Sequence, residues 1–466
     1  MIPEFAILGH PNEGKSSIVS TLTENDQIKI SRIPGETIVS QWFTVSIDGE
    51  KLIRFVDTPG FQVPRQTLVW FKKYSGNPDH IINNFIETFQ KDPFYRDECE
   101  LFKPLAKGAG IIYVVDGSRP VRQDDLAEME ILRLTGRPRM AVINSKTALK
   151  DYSCDWKQEF RKHFNSIRVF NSNSAGFNER ILLLESLKSI DQDLESVLSR
   201  VIEAFRTDWH NRNLAAGAMI KKNIETCLCF SLSKPINSDA DKDKKFQELT
   251  LQYQKHIIKI EKQMFQKIRI LFKHNRYDYQ LPDYSILRHD LFAKQTWELL
   301  GLTKEQLAAA GAIIGSGVGA VIDTAAAGIT FGVFTALGGV LGAGSAVLGA
   351  KKMIEKKAGR SWLGGDKIYL GPSHNIQFLY ILLDRALIYY SHIINRPHGK
   401  RDYSLNIDPS GNKEKKGVTS KFSPAQRSVC ARYFKSISRP SMFKKDNNIS
   451  PFEALIESVL LQISQG

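Results

Sequence analysis

Apolar runs punctuate the first 190 positions: Phe5–Leu8, Ile38–Ile47, Lys51–Val56, Gly110–Val115, Met140–Ile143 and Ile167–Phe170. Helical spacing fills much of the remainder, as in Asp125–Leu134 and Arg180–Ile190. This alternation predicts an α/β domain over 1–190, a mostly parallel sheet with helices on both faces. Ligands of such sheets bind beyond the carboxyl ends of the strands. The connection between Gly60 and the next strand, roughly 50 residues, is long for such a domain. TLVWFKKY and IINNFIETF within it read as amphipathic helices, so a helical insertion is expected over about 62–105, as an effector or dimer surface.

From residue 191 the period changes. Leu194, Val197, Leu198, Val201, Ile202 and Phe205 recur every three or four positions, as do Leu249, Tyr253, Ile257, Ile260, Met264, Ile268 and Leu271. Two long helices broken near KPINSDADKDKK are expected, forming a stalk or antiparallel hairpin over 191–300. Ile376–Ile394 and Phe452–Ile463 read as further helices in a C-terminal region over 361–466. Residues 301–360 differ from both patterns. Within 307–350 the only charge is Asp323, and small residues recur every fourth position at Gly311, Gly315, Gly319 and again at Gly338, Gly342, Ala346. Such spacing lets helices approach closely, as in membranes. Lys304 flanks one end and Lys351, Lys352, Lys356, Lys357 and Arg360 the other, so an inserted hairpin would keep both ends cytoplasmic. The competing reading is an Ala/Gly-rich hairpin packed in the protein's own core.

Charge changes the picture next. The 466-residue chain carries a formal +14, with basic residues concentrated in a Ser/Asn/Gly-rich stretch over about 398–450 that reads as a solvated tail. That balance favours an anionic partner, a phospholipid surface or nucleic acid. No GXXG loop in a KH-like context and no RNP-type aromatic pair supports sequence-specific RNA reading. The cysteines at 99, 154, 227, 229 and 430 have no metal-ligand spacing, which points to a reducing compartment. The N-terminus reads without a secretory signal.

Chemistry concentrates after the strands. Gly9-His-Pro-Asn-Glu-Gly14-Lys15-Ser16 satisfies G-x-x-x-x-G-K-[ST] between a strand and a helix. Backbone amides of Gly9, Asn12, Glu13, Gly14 and Ser17 can turn toward phosphates, Lys15 can neutralise β and γ oxygens, and the Ser16 hydroxyl can ligate Mg²⁺. Asp57-Thr58-Pro59-Gly60 follows the next central strand; its carboxylate can hold Mg²⁺ through water and the Gly60 N–H can sense a γ-phosphate. Thr37, in RIPGET, can reach Mg²⁺ from an intervening loop. The loop alone implies a nucleoside triphosphate.

GHPNEGKS, PGET and DTPG together resemble the Era/TrmE-like GTPases, and LRLTGRPRMAVIN and FNERILLLESL resemble a bacterial family that fuses such a G domain to a long C-terminal region of unknown function. The resemblance implies GTP as ligand, GDP as product and Mg²⁺ as cofactor. It also implies that Asn12 matches a P-loop Asn that helps to hold K⁺, and that Lys15, Thr37, Gly60 and Asn12 carry hydrolysis. A homodimer through the G domain is a further expected partner. An rRNA or ribosome partner is the alternative to an anionic membrane surface or membrane protein. Two departures matter. Where N-K-x-D reads guanine, the chain has Asn144-Ser145-Lys146-Thr147, which weakens discrimination against adenine; Asp151 substitutes only if the loop bends back. Ser174-Ala175-Gly176 resembles the element whose backbone meets the guanine O6, and a plain turn fits equally well. Phe61 stands where Ras-like proteins place the water-orienting Gln, so slow intrinsic hydrolysis is expected.

Overall fold

The computed structural model describes residues 2–25, 28, 37–144, 151–172, 174–235, 242–274, 281, 285–303, 305–307, 309–310, 367–398, 417–438 and 450–465. The chain divides into two compact units. The first is Met1–Asn211 with Lys273–Tyr277 and Ile394–Tyr403; the second is Arg212–Phe272, Asp278–Ile393 and Ser404–Gly466.

In the first unit β1 (Glu4–Leu8), β2 (Gln41–Ile47), β3 (Glu50–Asp57), β4 (Gly110–Asp116), β5 (Arg139–Asn144) and β6 (Ser166–Phe170) form one sheet in the order β2-β3-β1-β4-β5-β6. Every pairing is parallel except β2 with β3, a hairpin closed at Asp48-Gly49. Successive strand residues point to opposite faces. Phe5, Ile7, Ile112, Val114 and Val142 therefore pack with α1 (Lys15–Thr23) and α7 (Phe177–Lys188). Ala6, Leu8, Ile111, Tyr113 and Ile143 face the opposite core, with α4 (Arg96–Ala106), α5 (Gln123–Leu134) and α6 (Ser153–Phe160). Register aligns Ile7 with Asp57, Leu8 with Tyr113, and Asp116 with Asn144 and Asn144 with Phe170. The loops that leave these strands consequently emerge at one edge of the sheet.

The insertion holds α2 (Pro64–Lys73) and α3 (Ile81–Phe89), as the pattern predicts, and additionally α4. The buried face of α4 carries Glu98 and Pro104 among its apolar residues, a carboxylate and a proline where a helical stripe is ordinarily aliphatic. Trp70, Phe71, Phe85 and Phe102 pack ring against ring between these helices. The 38-residue α8 (Gln192–Cys229) starts at the expected stalk, yet its buried Leu198, Val201, Ile202 and Phe205 join the core beneath the sheet, and Trp209 stacks on Phe177 at 4.4 Å.

The second unit contains α9 (Lys242–Leu271), α10 (Lys294–Leu299), α11 (Ile376–Ile394), α12 (Pro424–Ser438) and α13 (Pro451–Gln465), with a short antiparallel pair, β7 (Leu232–Pro235) and β8 (Lys367–Leu370). α11 is buried along most of its length. Its two adjacent central charges are neutralised locally. Asp384 accepts from Gly301 N and Thr419 N at 2.7 Å each and from Thr419 Oγ1 at 2.9 Å. Arg385 makes a two-pronged ion pair with Glu261 at 2.6 and 2.8 Å and donates to His289 O. The solvated segment expected over 398–450 is corrected within Pro424–Ser438. There α12 buries Cys430, Ala431 and Phe434, an apolar stripe outweighed in composition by neighbouring Lys and Arg. The Gly/Ala-rich hairpin expected within 301–360 lies, from residue 311 on, outside the described residues. Among the described residues no helix is long and apolar enough to cross a membrane. All five cysteines are free, Cys99, Cys227 and Cys430 being buried.

Candidate functional site

The first loop leaves β1 at Leu8 and turns back through two left-handed residues. Asn12 has φ 67° and Gly14 φ 96°, and Gly14 N-caps α1 without a side-chain hydrogen bond. A helix start with no capping side chain and no acidic residue in its first turn offers amides and a positive dipole end to an anion. Lys15 lies folded against this loop, its Nζ donating to Gly9 O at 3.1 Å and His10 O at 2.9 Å. Ser17 is buried in the first turn of α1.

The three residues expected around Mg²⁺ come together. Ser16 Oγ donates to Asp57 Oδ2 at 2.7 Å, and the Thr37 hydroxyl stands near enough to favour the charged form of the Asp57 carboxylate. Asp57 is buried, and its Oδ1 has no hydrogen-bond partner among the described residues. Burial pushes its carboxyl up to about 6, against the hydroxyl of Ser16, the charge of Lys15 and the hydroxyl of Thr37, which pull it down. Two hydroxyls, one buried carboxylate and one orphaned oxygen fit a hard, oxygen-liganded divalent cation. Behind them Gly60 presses on the first loop; a Cβ there would stand 2.6 Å from Pro11 N and Cδ, so no larger residue fits. Phe61 is wholly buried and edge-on to Phe102 at 6.2 Å, its ring packed into the core.

Asn144 is buried at the end of β5. Its Nδ2 donates to Glu13 O at 3.0 Å, and its Oδ1 accepts from Ser172 N and Oγ at 3.2 Å. It ties the first loop to the loop after β6. Ser145, Lys146 and Thr147 lie outside the described residues. The fallback Asp151 is engaged locally, its Oδ1 accepting from the amide and hydroxyl of Ser153 at the start of α6. Ser174 and Ala175 lie in a turn, the plainer of the two readings of this stretch. Both amides donate to Asn171 O, at 3.1 and 2.8 Å, because the turn after β6 closes on itself. The Glu13 side chain points away from the loop's amides. It accepts from Asp116 N and pairs with Arg119 at 2.7 Å, while Arg119 bridges to Asp125 at 2.7 Å.

One network escapes sequence reading altogether. His10 Nδ1 bonds the wholly buried Glu128 of α5 at 3.0 Å, and Tyr113 donates to the other Glu128 oxygen at 2.9 Å. Burial raises Glu128 to about 7, and the hydrogen bond to Glu128 raises His10. No motif spacing links positions 10, 113 and 128; the parallel pairing of β1 with β4 and the packing of α5 on the face that carries Tyr113 bring them together.

A glycine-lysine phosphate cradle at the carboxyl edge of a mostly parallel sheet, with a hydroxyl–carboxylate cluster behind it, defines a P-loop NTPase domain of the Ras-like G-domain fold. Residues 4–145 match the family described as 50S ribosome-binding GTPase. Residues 157–456, more than half of the chain, match the family described as domain of unknown function DUF3482, and the chain belongs to that family. A probable GTP-binding protein EngB from Acidobacterium capsulatum is 30% identical over 150 residues, covering 32% of this chain and 62% of that protein. GTPase Der from Thermosipho melanesiensis is 24% identical over 204 residues, 43% of this chain and 41% of its own. The chain thus spans less than two thirds of either relative. An Aquifex aeolicus Era variant bound to GDP.AlF4- overlaps 51% of this chain and 74% of its own at 17% identity and a TM-score of 0.28, too slight a likeness to bear on function.

Proposed function

We propose that this protein is a GTP-binding switch that hydrolyses GTP to GDP and phosphate. The observation that carries the reading is the convergence of Ser16, Thr37 and Asp57 behind the Lys15 cradle, with an Asp57 oxygen left orphaned. Ser16, Thr37 and Asp57 would hold Mg²⁺, which when bound neutralises charge on the β and γ oxygens. The amides at the start of α1 bind the phosphates, Lys15 leaves its two carbonyl partners to pair with the terminal ones, and the Gly60 N–H meets the γ-phosphate. Buried Phe61 cannot orient water, so hydrolysis by the isolated protein is slow. Asn12 is the residue that would help to hold K⁺. Preference for guanine rests on the GTP-binding relatives, and a partner of the switch on chemistry outside this cradle.

For that partner, the +14 charge calls for an anionic surface, and the ribosome-binding description of the matched N-terminal family favours a ribosomal one. Coupling to a membrane would depend on the Gly/Ala-rich segment 307–350, of which residues 311–350 lie outside the described ones. Salt-dependent co-sedimentation with ribosomal subunits supports the first; flotation with anionic liposomes at the same salt supports the second. The central test is titration of GTP, GDP and ATP with Mg²⁺ and K⁺ on the protein and on Lys15→Ala and Ser16→Ala. Loss of triphosphate affinity in the first and of Mg²⁺ dependence in the second is expected; unaltered affinity in both refutes their roles.

A further inference from the structure

The loop behind Gly60 is gripped from an unexpected direction. Glu98, on α4 of the insertion, is wholly buried, and its Oε1 accepts from both Gln62 N at 2.7 Å and Val63 N at 2.6 Å. Val63 N-caps α2 with no side chain of its own to satisfy the helix start, and Pro64 follows at the first helical position. A carboxylate thirty-five positions away supplies what a local Ser or Asp supplies in most helices. One turn further along α4, Phe102 meets the ring of Phe61. The same helix reaches the other sensing segment: Ser40, three residues after Thr37 and buried, donates its hydroxyl to Glu100 O at 2.8 Å. One helix therefore holds the chain just behind each of the two groups expected to sense the triphosphate end.

The arrangement is costly. Glu98 Oε2 is buried without a hydrogen-bond partner among the described residues. Burying a carboxylate disfavours its charged form, and the two backbone donors only partly offset this, leaving its carboxyl above the usual range. A neutral residue would pack there at lower cost, and a local cap would serve α2 equally well. What this side chain does, and a local cap would not, is tie the backbone after Gly60 to α4 by hydrogen bonds, while Gly60 itself lies against Pro11.

We propose that Glu98 is a positioning residue for triphosphate recognition: it holds the Gly60–Val63 backbone against the phosphate loop, so that α4 and the insertion register whether the γ-phosphate is present. The proposal rests on the GTP-switch reading above and names the element through which the switch is read. Glu98 acts through the backbone of Gln62 and Val63 and touches no nucleotide. Loss of its two bonds frees the sensing amide without removing Lys15, Ser16 or Asp57. Affinity for a triphosphate then falls while affinity for the diphosphate, which has no group for Gly60 to meet, is preserved.

The experiment measures dissociation constants of GDP and of a non-hydrolysable GTP analogue for the full chain and for Glu98→Ala and Glu98→Gln, with Mg²⁺ present. Glu98→Ala is expected to lose at least tenfold in analogue affinity and less than threefold in GDP affinity. Glu98→Gln, whose amide oxygen still accepts both N–H groups, restores most of the lost preference. A purely structural role would lower both affinities together and overturn the inference, as would an unchanged preference in Glu98→Ala. Should Glu98→Ala not fold, amide hydrogen exchange on the unaltered chain decides: slower exchange at Gln62 and Val63 with the analogue than with GDP supports the inference, and equal exchange overturns it. Failure of the unaltered chain to bind either nucleotide sinks the underlying switch reading. Normal binding with an unchanged Glu98→Ala preference sinks only the role of Glu98.

Discussion

Replacing Glu128 by Gln separates a charge from the packing around it. The side chain is wholly buried between His10 of the phosphate loop and Tyr113 of β4, and burial raises its carboxyl from 4.5 to about 7. Below pH 4.5 the folded and unfolded chains both hold the proton. Between 4.5 and about 7 the unfolded chain releases it first, so stability contributed by this group falls as pH rises through that window and levels off above it. At about 1.4 kcal/mol per pH unit, the displacement corresponds to about 3 kcal/mol. His10 shares the bond to Glu128 and is itself raised by it, so the two groups titrate as one pair and the fall in stability belongs to the pair. Gln keeps an oxygen for the Tyr113 hydroxyl and an N–H for a neutral His10, and it does not titrate. Urea unfolding of both proteins at pH 5, 6, 7 and 8 should show the unaltered chain losing up to about 3 kcal/mol relative to Glu128→Gln across the series. A difference that stays flat from pH 5 to 8 refutes the reasoning, since it would mean that the buried carboxyl keeps an ordinary affinity for its proton.

Other outcomes follow from single contacts. Asp384→Ala leaves Gly301 N, Thr419 N and Thr419 Oγ1 without their acceptor and should destabilise the second unit by about 3–5 kcal/mol, read from its thermal transition. Asn144→Ala removes the clasp on Glu13 O and Ser172; a loss of about 1–3 kcal/mol in stability and at least tenfold in nucleotide affinity is expected, and unaltered affinity would separate that clasp from binding. Steady-state turnover should be faster in K⁺ than in Na⁺ at equal ionic strength if Asn12 helps to hold the ion; equal rates remove that role.

The central strands β1, β4 and β5 were legible because they are apolar runs that end in chemistry-bearing loops. The phosphate cradle was legible because it is contiguous in sequence, and Ser16, Thr37 and Asp57 each carried a recognisable neighbour. Residues that act across distance were not. His10, Tyr113 and Glu128 meet only through strand order and the packing of α5, and Glu98 meets Gln62 and Val63 only once α4 has packed. α4 escaped because Glu98 and Pro104 stand on its buried face, α12 because the lysines and arginines around it dominate composition. The β7–β8 pair escaped because its two short strands are 132 positions apart from Pro235 to Lys367, a pairing that no local pattern shows. Asn144 matched its motif by type, yet its amide proved to be a brace between loops as well as a strand end.

The run of α8 past residue 190 bears on how the nucleotide domain can be isolated. A fragment cut where the alternating pattern stops would strip away Leu198, Val201, Ile202 and Phe205, along with the indole lying on Phe177. Each of those aliphatic or aromatic groups is worth about 1.5–3 kcal/mol when shielded from water, enough in sum to rival the whole margin of a small domain. An excised piece therefore has to carry the first five turns of this helix, and a poorly behaved shorter one would report a missing buttress rather than a defective nucleotide pocket.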